Sequence, residues 1–476
     1  MATYKTPDVY VEEIPVFPPS VAEVETAIPA FIGYTQIARR NADLDLILKP
    51  TKIYSLKEFE QYFGVARTDA IAISVVAETN GTYTTTSFTE PALPYILYYS
   101  VKMFFDNGGG QCYIISVGTY QTTPSISLKG DISSNLATMY GLSDGLDILA
   151  NEDEPTLIVI PEAVKLTSTD YLTLVQAVLN QCDVLRDRFA IFDLFDGNKD
   201  LDEVPEGETT SRLVINRGYF GNNYLKYGAV YYPFLKTSMN NYIDEGETNV
   251  DVTYNSSTAD LITFKNTNTG LYNYVKTVLK EHFITLPPSG TLAGVYAATD
   301  SKRGVWKAPA NVSLANVIEP VRKIDNLRQG AMNVDATTGK SINALRAFAG
   351  KGTLVWGART LAGNDNEWRY IPVRRFFNMV EESVKKSTYW AVFEPNDANT
   401  WVKVRGMIEN YLVQKWRDGA LAGATTKDAF FVRCGLGITM SAQDILEGRM
   451  NVEIGMAVVR PAEFIILKFS HKMQVS

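Results

Sequence analysis

The chain has 476 residues, of which 46% are hydrophobic and 21% are charged. This balance is typical of a globular protein with a sizeable core, and it excludes wholesale disorder. The 45 basic and 53 acidic residues give a formal charge of −8. A mildly acidic protein lacks the broad basic surface of a nucleic-acid-binding protein, so we expect no nucleic-acid partner. The length favours about three domains.

Cysteine and histidine are scarce, which limits the chemistry that the chain can perform. Cys112, Cys182 and Cys434 are far apart and form no C-x-x-C pair, as expected in a reducing compartment. His282 and His471 are the only histidines, so a histidine-rich zinc site is excluded within one chain, and we expect no metal and no cofactor. Neither a signal peptide nor an apolar run of about 20 residues is present. We therefore expect synthesis in the cytoplasm and no membrane insertion.

The first 90 residues are predicted to form an arm followed by the start of a core. Residues 1–20 contain one short alternating run and four prolines, which favours an extended arm with a single strand. Residues 21–90 are predicted to be the N-terminal part of the core. They contain a strand over Ala30–Thr35, a helix that starts at Ser55, and a polar, Thr-rich surface loop over residues 78–90.

Residues 91–350 have the pattern of an α/β domain. Two wholly apolar strands, at residues 156–161 and 188–193, flank a helix that we predict from Tyr171 to about residue 185. A strand–helix–strand unit of this kind is typical of a buried parallel sheet. The polar residues 236–270 are predicted to be an exposed insertion with one hairpin. Residues 351–460 then show two long helices, strands and a short helix at 441–447, and predict a C-terminal α+β domain.

Three short motifs suggest chemistry, but each has a simpler interpretation. Residues 141–145 match the G-x-S-x-G elbow of serine hydrolases, yet no strand precedes Ser143, only His282 could serve as its base, and a plain turn fits better. Residues 338–341 resemble the end of a phosphate loop, but Val334 occupies the place of its first glycine. The acidic run that begins at Asp193 resembles a calcium loop without its glycine and its final carboxylate. We interpret all three as turns or loops, and an enzyme that uses Ser143 remains the alternative function.

Both ends of the chain look like strands that need a partner. In the C-terminal strand, residues 463–470, one face is apolar and the other nearly so. Such a strand either joins its own sheet or is donated to a neighbour's sheet edge, and an arm at each end allows head-to-tail linkage into open filaments. The candidate donor residues are Val9, Tyr10, Val11, Glu12, Ile14, Phe464, Ile465, Ile466, Leu467 and Phe469.

Long stretches in the expected order resemble contractile tail sheath proteins. The similarity runs along nearly the whole chain, with one departure at Asp8, where the family usually has glycine. The stretches are Thr6–Ile14, Phe17–Val21, Thr26–Thr35, Pro287–Gly290, Ala293–Ala297, Arg303–Asn311, Val355–Leu361, Glu367–Tyr370 and Arg460–Phe464.

This resemblance implies both an architecture and a function. The fold would be mixed α/β (α+β): a subtilisin-like central domain without protease chemistry, an inner C-terminal domain over residues 351–460, and strand arms at residues 1–20 and 461–476. The protein would be a structural subunit that forms stacked hexameric rings around an inner tube and contracts to drive the tube through a target cell envelope. Its partners would be further copies, the tube protein, the baseplate and terminator or cap proteins, in a phage tail or a phage-tail-like injection system. A filament that does not contract is a second alternative.

The resemblance also places the contact with the tube on the inner C-terminal domain. We predict that the short helix at 441–447 and nearby basic residues meet acidic residues of the tube through weak, salt-sensitive contacts. An ordinary capped surface helix explains the same residues. The candidates are Lys427, Arg433, Ser441, Asp444, Glu447 and Arg449.

Overall fold

The computed structural model describes residues 20–79, 81–130 and 140–467, and these residues form two compact units. The larger unit, which we call the body, comprises the described residues of 25–378 together with residues 460–467. The smaller unit, which we call the C-terminal unit, comprises residues 379–459 together with residues 20–24. Residues 351–378 therefore lie in the body.

The body is built on an eight-stranded sheet in which six neighbouring strands run parallel. The predicted strand–helix–strand unit is confirmed, because β6 and β7 pair in parallel on either side of helix α4 in the sequence. In spatial order the strands are β15 (Gly352–Val355), β14 (Asn343–Phe348), β8 (Gly228–Tyr232), β7 (Phe189–Asp193), β6 (Leu157–Val159), β1 (Pro29–Thr35), β5 (Cys112–Thr119) and β2 (Thr51–Ile53).

Helices cover both faces of this sheet, which explains why its central strands are apolar on both sides. Ala30 and Ile32 belong to a core with α3 and α4, whereas Phe31, between them, belongs to a core with α2 and α8. The helices of this region are α1 (Leu56–Phe63), α2 (Leu97–Asp106), α3 (Leu142–Leu149), α4 (Ser168–Leu185), α5 (Arg212–Tyr219), α8 (Ser289–Arg303), α9 (Asn326–Asn333) and α10 (Ile371–Ser387), whose last residues belong to the C-terminal unit.

A second sheet corrects two predictions made from polarity. The Thr-rich segment predicted to be a loop contains strand β4, and the segment predicted to be an exposed insertion contributes Val250 and Val252 to a buried core with Ile73. The predicted hairpin is confirmed as β10 and β11. The strands in spatial order are β11 (Ser257–Asp260), β10 (Val250–Tyr254), β3 (Ile71–Ala77) and β4 (Tyr83–Thr89), and helices α6 (Leu261–Thr267) and α7 (Thr269–Glu281) pack on them.

Two smaller sheets complete the fold. In the body, β12 (Phe283–Leu286), β9 (Leu235–Asn240) and β13 (Val317–Pro320) form an antiparallel sheet with β9 in the middle. In the C-terminal unit, β16 (Phe430–Arg433) pairs with β17 (Glu453–Met456). The helices of that unit are α11 (Ala398–Arg417), α12 (Thr426–Ala429) and α13 (Ala442–Leu446). Among the described residues, no helix is both long and apolar enough to span a bilayer.

The G-x-S-x-G motif is the start of helix α3, so its interpretation as a plain turn is wrong. Gly141 is the N-cap, and its amide donates to the Asp144 carboxylate at 2.8 Å. A Cβ at Gly141 would lie 2.4 Å from the backbone of Leu128, and one at Gly145 would lie 2.6 Å from a methyl carbon of Ile32. Both glycines are therefore explained by close packing of the helix.

Two buried carboxyl groups hold loops against the main sheet. Glu162 accepts backbone amide hydrogens from Tyr34, Ile96 and Leu97 at 2.9, 2.9 and 3.2 Å. Asp193 accepts the amide hydrogen and the hydroxyl of Ser289 at the start of α8. Burial raises the pKa of each carboxyl to about 7, against the hydrogen bonds, which lower it. A raised folded pKa means that the folded state holds protons that the unfolded state releases, so stability falls as pH rises towards 7.

We predict that Asp193→Asn flattens the pH dependence of unfolding between about pH 4 and 7. The amide keeps one acceptor for the Ser289 amide and gains a donor for its hydroxyl, but it does not titrate. Removing this titrating group takes away a fall in the free energy of unfolding of up to about 1.4 kcal/mol per pH unit. Urea unfolding measured across this range tests the prediction, with the exposed Asp147→Asn on α3 as control. An unchanged slope in Asp193→Asn would contradict it.

Candidate functional site

The described end of the chain, residues 460–467, lies on the body without forming a strand. The strand predicted over residues 463–470 is therefore not formed in its described part, because among the described residues no strand pairs with it. Phe464, Ile465, Ile466 and Leu467 are 70–79% exposed. Four successive large apolar side chains in water are unusual and indicate a surface that another molecule covers.

One carboxylate attaches this segment to the body. The Glu463 carboxylate accepts hydrogen bonds from Arg359 Nε at 3.0 Å and from Arg359 Nη2 at 2.6 Å. It also accepts from Asn333 Nδ2 at 2.7 Å and from the Tyr370 hydroxyl at 3.2 Å. We call the Glu463–Arg359 pair with Asn333 and Tyr370 the arm clamp.

The arm clamp is mostly removed from water. The Arg359 side chain is 4% exposed and that of Glu463 is 22% exposed. Burial opposes ionisation of Glu463, but the hydrogen bonds from Arg359 and Asn333 outweigh it, so the pKa of this carboxyl lies below its ordinary value. The Glu463 carboxyl is therefore ionised at neutral pH.

The remaining predicted donor residues cannot be placed. Val9, Tyr10, Val11, Glu12, Ile14 and Phe469 lie outside the described residues, and so does Lys468. The donor role of both arms stays a prediction.

The predicted tube-contact residues all lie in the C-terminal unit, in two places. Asp444 accepts from the amide and hydroxyl of Ser441 and so caps α13, and its carbonyl accepts from the Arg449 amide at 2.8 Å. Arg449 also pairs with Glu447 at 2.8 Å. These four residues lie in one turn around α13. This geometry is compatible with a tube contact and equally with an ordinary capped surface helix.

Lys427 and Arg433 lie apart from that turn, on α12 and β16. Arg433 is 3.7 Å from Glu453 on the paired strand and stacks over the Phe431 ring at 4.5 Å. An exposed ion pair of this kind contributes little free energy. Pairing with Glu453 therefore leaves Arg433 available to other contacts.

Sequence patterns missed three exposed apolar side chains of the C-terminal unit. Leu436, Ile438 and Leu446 are exposed, and Leu446 is 83% exposed. Leu436 and Ile438 follow β16 in a loop with two glycines at positive φ, Gly435 and Gly437. These three apolar residues show no periodic spacing in the sequence. Only the structure shows that all three are exposed in the C-terminal unit.

The two residues of the alternative enzyme lie on different elements, Ser143 in α3 and His282 at the C-terminal end of α7. Ser143 lies in the first turn of α3. The His282 ring stacks on Phe88 with centroids 3.6 Å apart, and its Nδ1 lies 2.8 Å from the Val278 carbonyl oxygen. Within the described ranges, no group of three or more His, Cys, Asp or Glu side chains could hold a metal ion. The His282 ring is thus engaged in packing and in capping the end of α7.

Comparison with known proteins identifies the family. A family model described as the phage tail sheath protein central domain matches residues 235–361, and one described as the phage tail sheath C-terminal domain matches residues 363–472. A chain of the anti-feeding prophage (AFP) helical sheath in its contracted state is 28% identical, with a TM-score of 0.65 over 99% of this chain and 100% of that chain. Family models over its C-terminal half and solved sheath chains over nearly its whole length support the contractile tail sheath family for this chain.

Further sheath relatives come from injection systems and from phages. A chain of the PVC sheath complex, an extracellular contractile injection system in the contracted state, is 29% identical with a TM-score of 0.62 over 99% of both chains. The tail sheath proteins of Vibrio phage KVP40 and Enterobacteria phage T4 are 28% and 27% identical over 30% and 27% of this sheath chain. These alignments span 21% and 19% of the two phage proteins.

We predict that Phe464→Ser and Ile466→Ser leave the stability of the isolated sheath protomer unchanged within about 0.5 kcal/mol, because exposed side chains bury little on folding. Urea unfolding of protein kept below its polymerisation concentration measures this. The buried Leu345→Ala in β14 serves as comparison and should cost about 2–5 kcal/mol. A comparable loss in the two serine variants would show that the arm packs within its own protomer.

Proposed function

We propose that this chain is the structural subunit of a contractile sheath, which polymerises as stacked hexameric rings around an inner tube. Contraction of the sheath then drives the tube through a target cell envelope. Supporting this proposal is similarity along almost the whole chain to sheath chains solved in the contracted state, at 28% and 29% identity. This similarity favours contraction over the alternative of a static filament.

The connections between subunits are donated strands. Of the strand predicted at residues 463–470, the part from Phe464 onwards supplies one donated strand, because Glu463 is held in the arm clamp, and residues 8–14 supply the other. Each exposed apolar side chain of the arm that becomes buried contributes about 1.5–3 kcal/mol, in addition to the backbone hydrogen bonds that the strand gains. Because the described arm residues 464–467 are exposed in the single protomer, this free energy is available for assembly.

The acceptor that the geometry favours is the β16–β17 pair of another subunit. Among the described residues, no further strand pairs with either of them, so both edges offer unpaired backbone groups. A two-stranded sheet is marginally stable by itself, and two donated strands would extend it to four. The exposed Leu436, Ile438 and Leu446 of the same unit supply apolar area for the arms.

Contraction requires that the sheath has two stable packings and that the connections survive the change. Hydrogen bonds of a donated strand move with the acceptor as one rigid body, while the chain between arm and body absorbs the rotation. The free energy for contraction is the difference between the two packings, without nucleotide hydrolysis.

The finer assignments form part of the same proposal. The eight-stranded sheet of the body would be the subtilisin-like domain, and the C-terminal unit would be the inner domain that contacts the tube. Baseplate and terminator or cap proteins would bind the ends of the sheath, which would assemble in the cytoplasm. Similarity to AFP and PVC chains over their whole length favours an injection system, whereas the phage matches are partial.

We predict that deleting residues 464–476 yields a folded protein that does not polymerise, because the donor strand is lost while Glu463 remains in the arm clamp. Deleting residues 1–14 should have the same effect. Circular dichroism checks the fold, and sedimentation with negative-stain electron microscopy checks polymerisation. The control is Val184→Ser, which removes another exposed apolar side chain, 70% exposed, far from the arm in sequence. Long sheaths from either deletion would overturn strand donation.

We predict that Arg449→Glu weakens co-assembly of sheath and tube at low salt, because it replaces a cation that would face acidic tube residues. The effect should be largest at about 0.05 M salt and shrink as salt screens the contact. Arg39→Glu is the matched control, since Arg39 is also an exposed arginine with one exposed acidic partner, Asp43. Equal co-assembly of both variants with purified tube would exclude Arg449 from the tube contact.

A further inference from the structure

The described C-terminal segment is held to the body at a single residue. Within residues 460–467, the Glu463 side chain makes every hydrogen bond and ion pair to another described residue. Before this segment, the chain is fixed in the C-terminal unit, where the Val459 amide donates to the Ala420 carbonyl at 3.1 Å. The arm clamp is therefore the last attachment before the exposed apolar residues begin at Phe464.

The receptor for Glu463 is firmly built into the body. The Arg359 amide donates to Asn343 Oδ1 at 2.8 Å, and Asn343 Nδ2 donates to the Arg359 carbonyl at 2.8 Å and to the Val230 carbonyl at 3.2 Å. Asn343 lies on β14 and Val230 on β8, so the main sheet fixes the backbone of Arg359. Arg359 Nη1 is held by the carbonyls of Asn333 and Gly363 at 3.1 and 3.3 Å. The guanidinium is thus oriented before the carboxylate binds.

We propose that Arg359 is a positioning residue for the donated strand: through Glu463 it fixes the point on the body at which the arm starts and so sets the arm's free length. The inference rests on the proposed strand donation and adds to it a residue that determines where the neighbouring subunit is held. Without the clamp, the free arm begins at Arg460 and is four residues longer, which adds up to about 14 Å of extended chain.

Arm length matters because a tethered strand binds its acceptor at an effective concentration set by the tether. Lengthening a tether from about one residue to about five lowers the effective concentration roughly tenfold by the −3/2 power law. A longer tether also lets the neighbour sit at more positions, so that rings stack less regularly. If Arg359 only stabilised the body, the place at which the arm is lengthened would not change the effect on polymerisation.

Two insertions of Gly-Ser-Gly-Ser test the proposal. One, between Glu463 and Phe464, lengthens the arm beyond the clamp, and the other, between Val459 and Arg460, lengthens the chain before it. We expect the first to raise the critical concentration for polymerisation about tenfold and the second to change it less than twofold, as measured by sedimentation. Equal effects of the two insertions would overturn the proposal.

Variants of the clamp make the test independent of insertion site. Glu463→Gln removes the charge, and Arg359→Lys keeps the charge but loses the two-pronged geometry. In either background the two insertions should become equivalent, since the arm no longer starts at residue 463. Insertions that still differ there would contradict the role of the pair. If a variant does not fold, as judged by circular dichroism, the two insertions in the unmodified chain still decide.

Deleting residues 464–476 in parallel separates the two proposals. If that deletion still polymerises, strand donation fails and the arm clamp loses its function with it. If the deletion abolishes polymerisation while the two insertions act equally, strand donation stands and the arm clamp alone is refuted.

Discussion

An extended strand is stable only when its backbone amides and carbonyls find hydrogen-bond partners, and this requirement governs the whole molecule. The body meets it internally with parallel strands covered by helices on both faces. The described part of the C-terminal arm does not meet it within its own protomer. Under the proposed strand donation, polymerisation would complete the secondary structure of the chain, and assembly and strand pairing would be one process.

The body must behave as a rigid object if a lattice change is to move it as a whole. Contacts that are costly to break hold its loops against the main sheet. One example is the set of three backbone amides that donate to Glu162. A buried acceptor that satisfies several amides cannot be replaced by water without unfolding the loops it joins. Under the proposed function, a contracting sheath would need bodies held rigid by contacts of this kind.

Sequence patterns predicted those elements whose structure depends on neighbours in the chain. The apolar runs of β6 and β7 and the helical spacing of α4 fix a parallel unit by themselves. Sequence patterns missed strand β4. This strand lies at the edge of its sheet and buries little of its side chains, so its polar, Thr-rich sequence suggested a loop. Its sheet pairs residues 71–75 with residues 250–254, and no local pattern reports a partner so distant in the sequence. The arm clamp was missed for the same reason, since Arg359 and Glu463 are separated by 104 residues.

The chemical nature of the clamp follows from the sequence of the arm that it holds. An apolar anchor would compete with Phe464, Ile465, Ile466 and Leu467, which have similar size and hydrophobicity, and the arm could slip along its receptor. A slip of one residue exchanges the two faces of a strand, so the donated strand would present the wrong side chains to its acceptor. Glu463 is the only acidic residue from position 460 to the end of the chain. A guanidinium that is buried, fixed and selective for a carboxylate therefore recognises one position of the arm and no other.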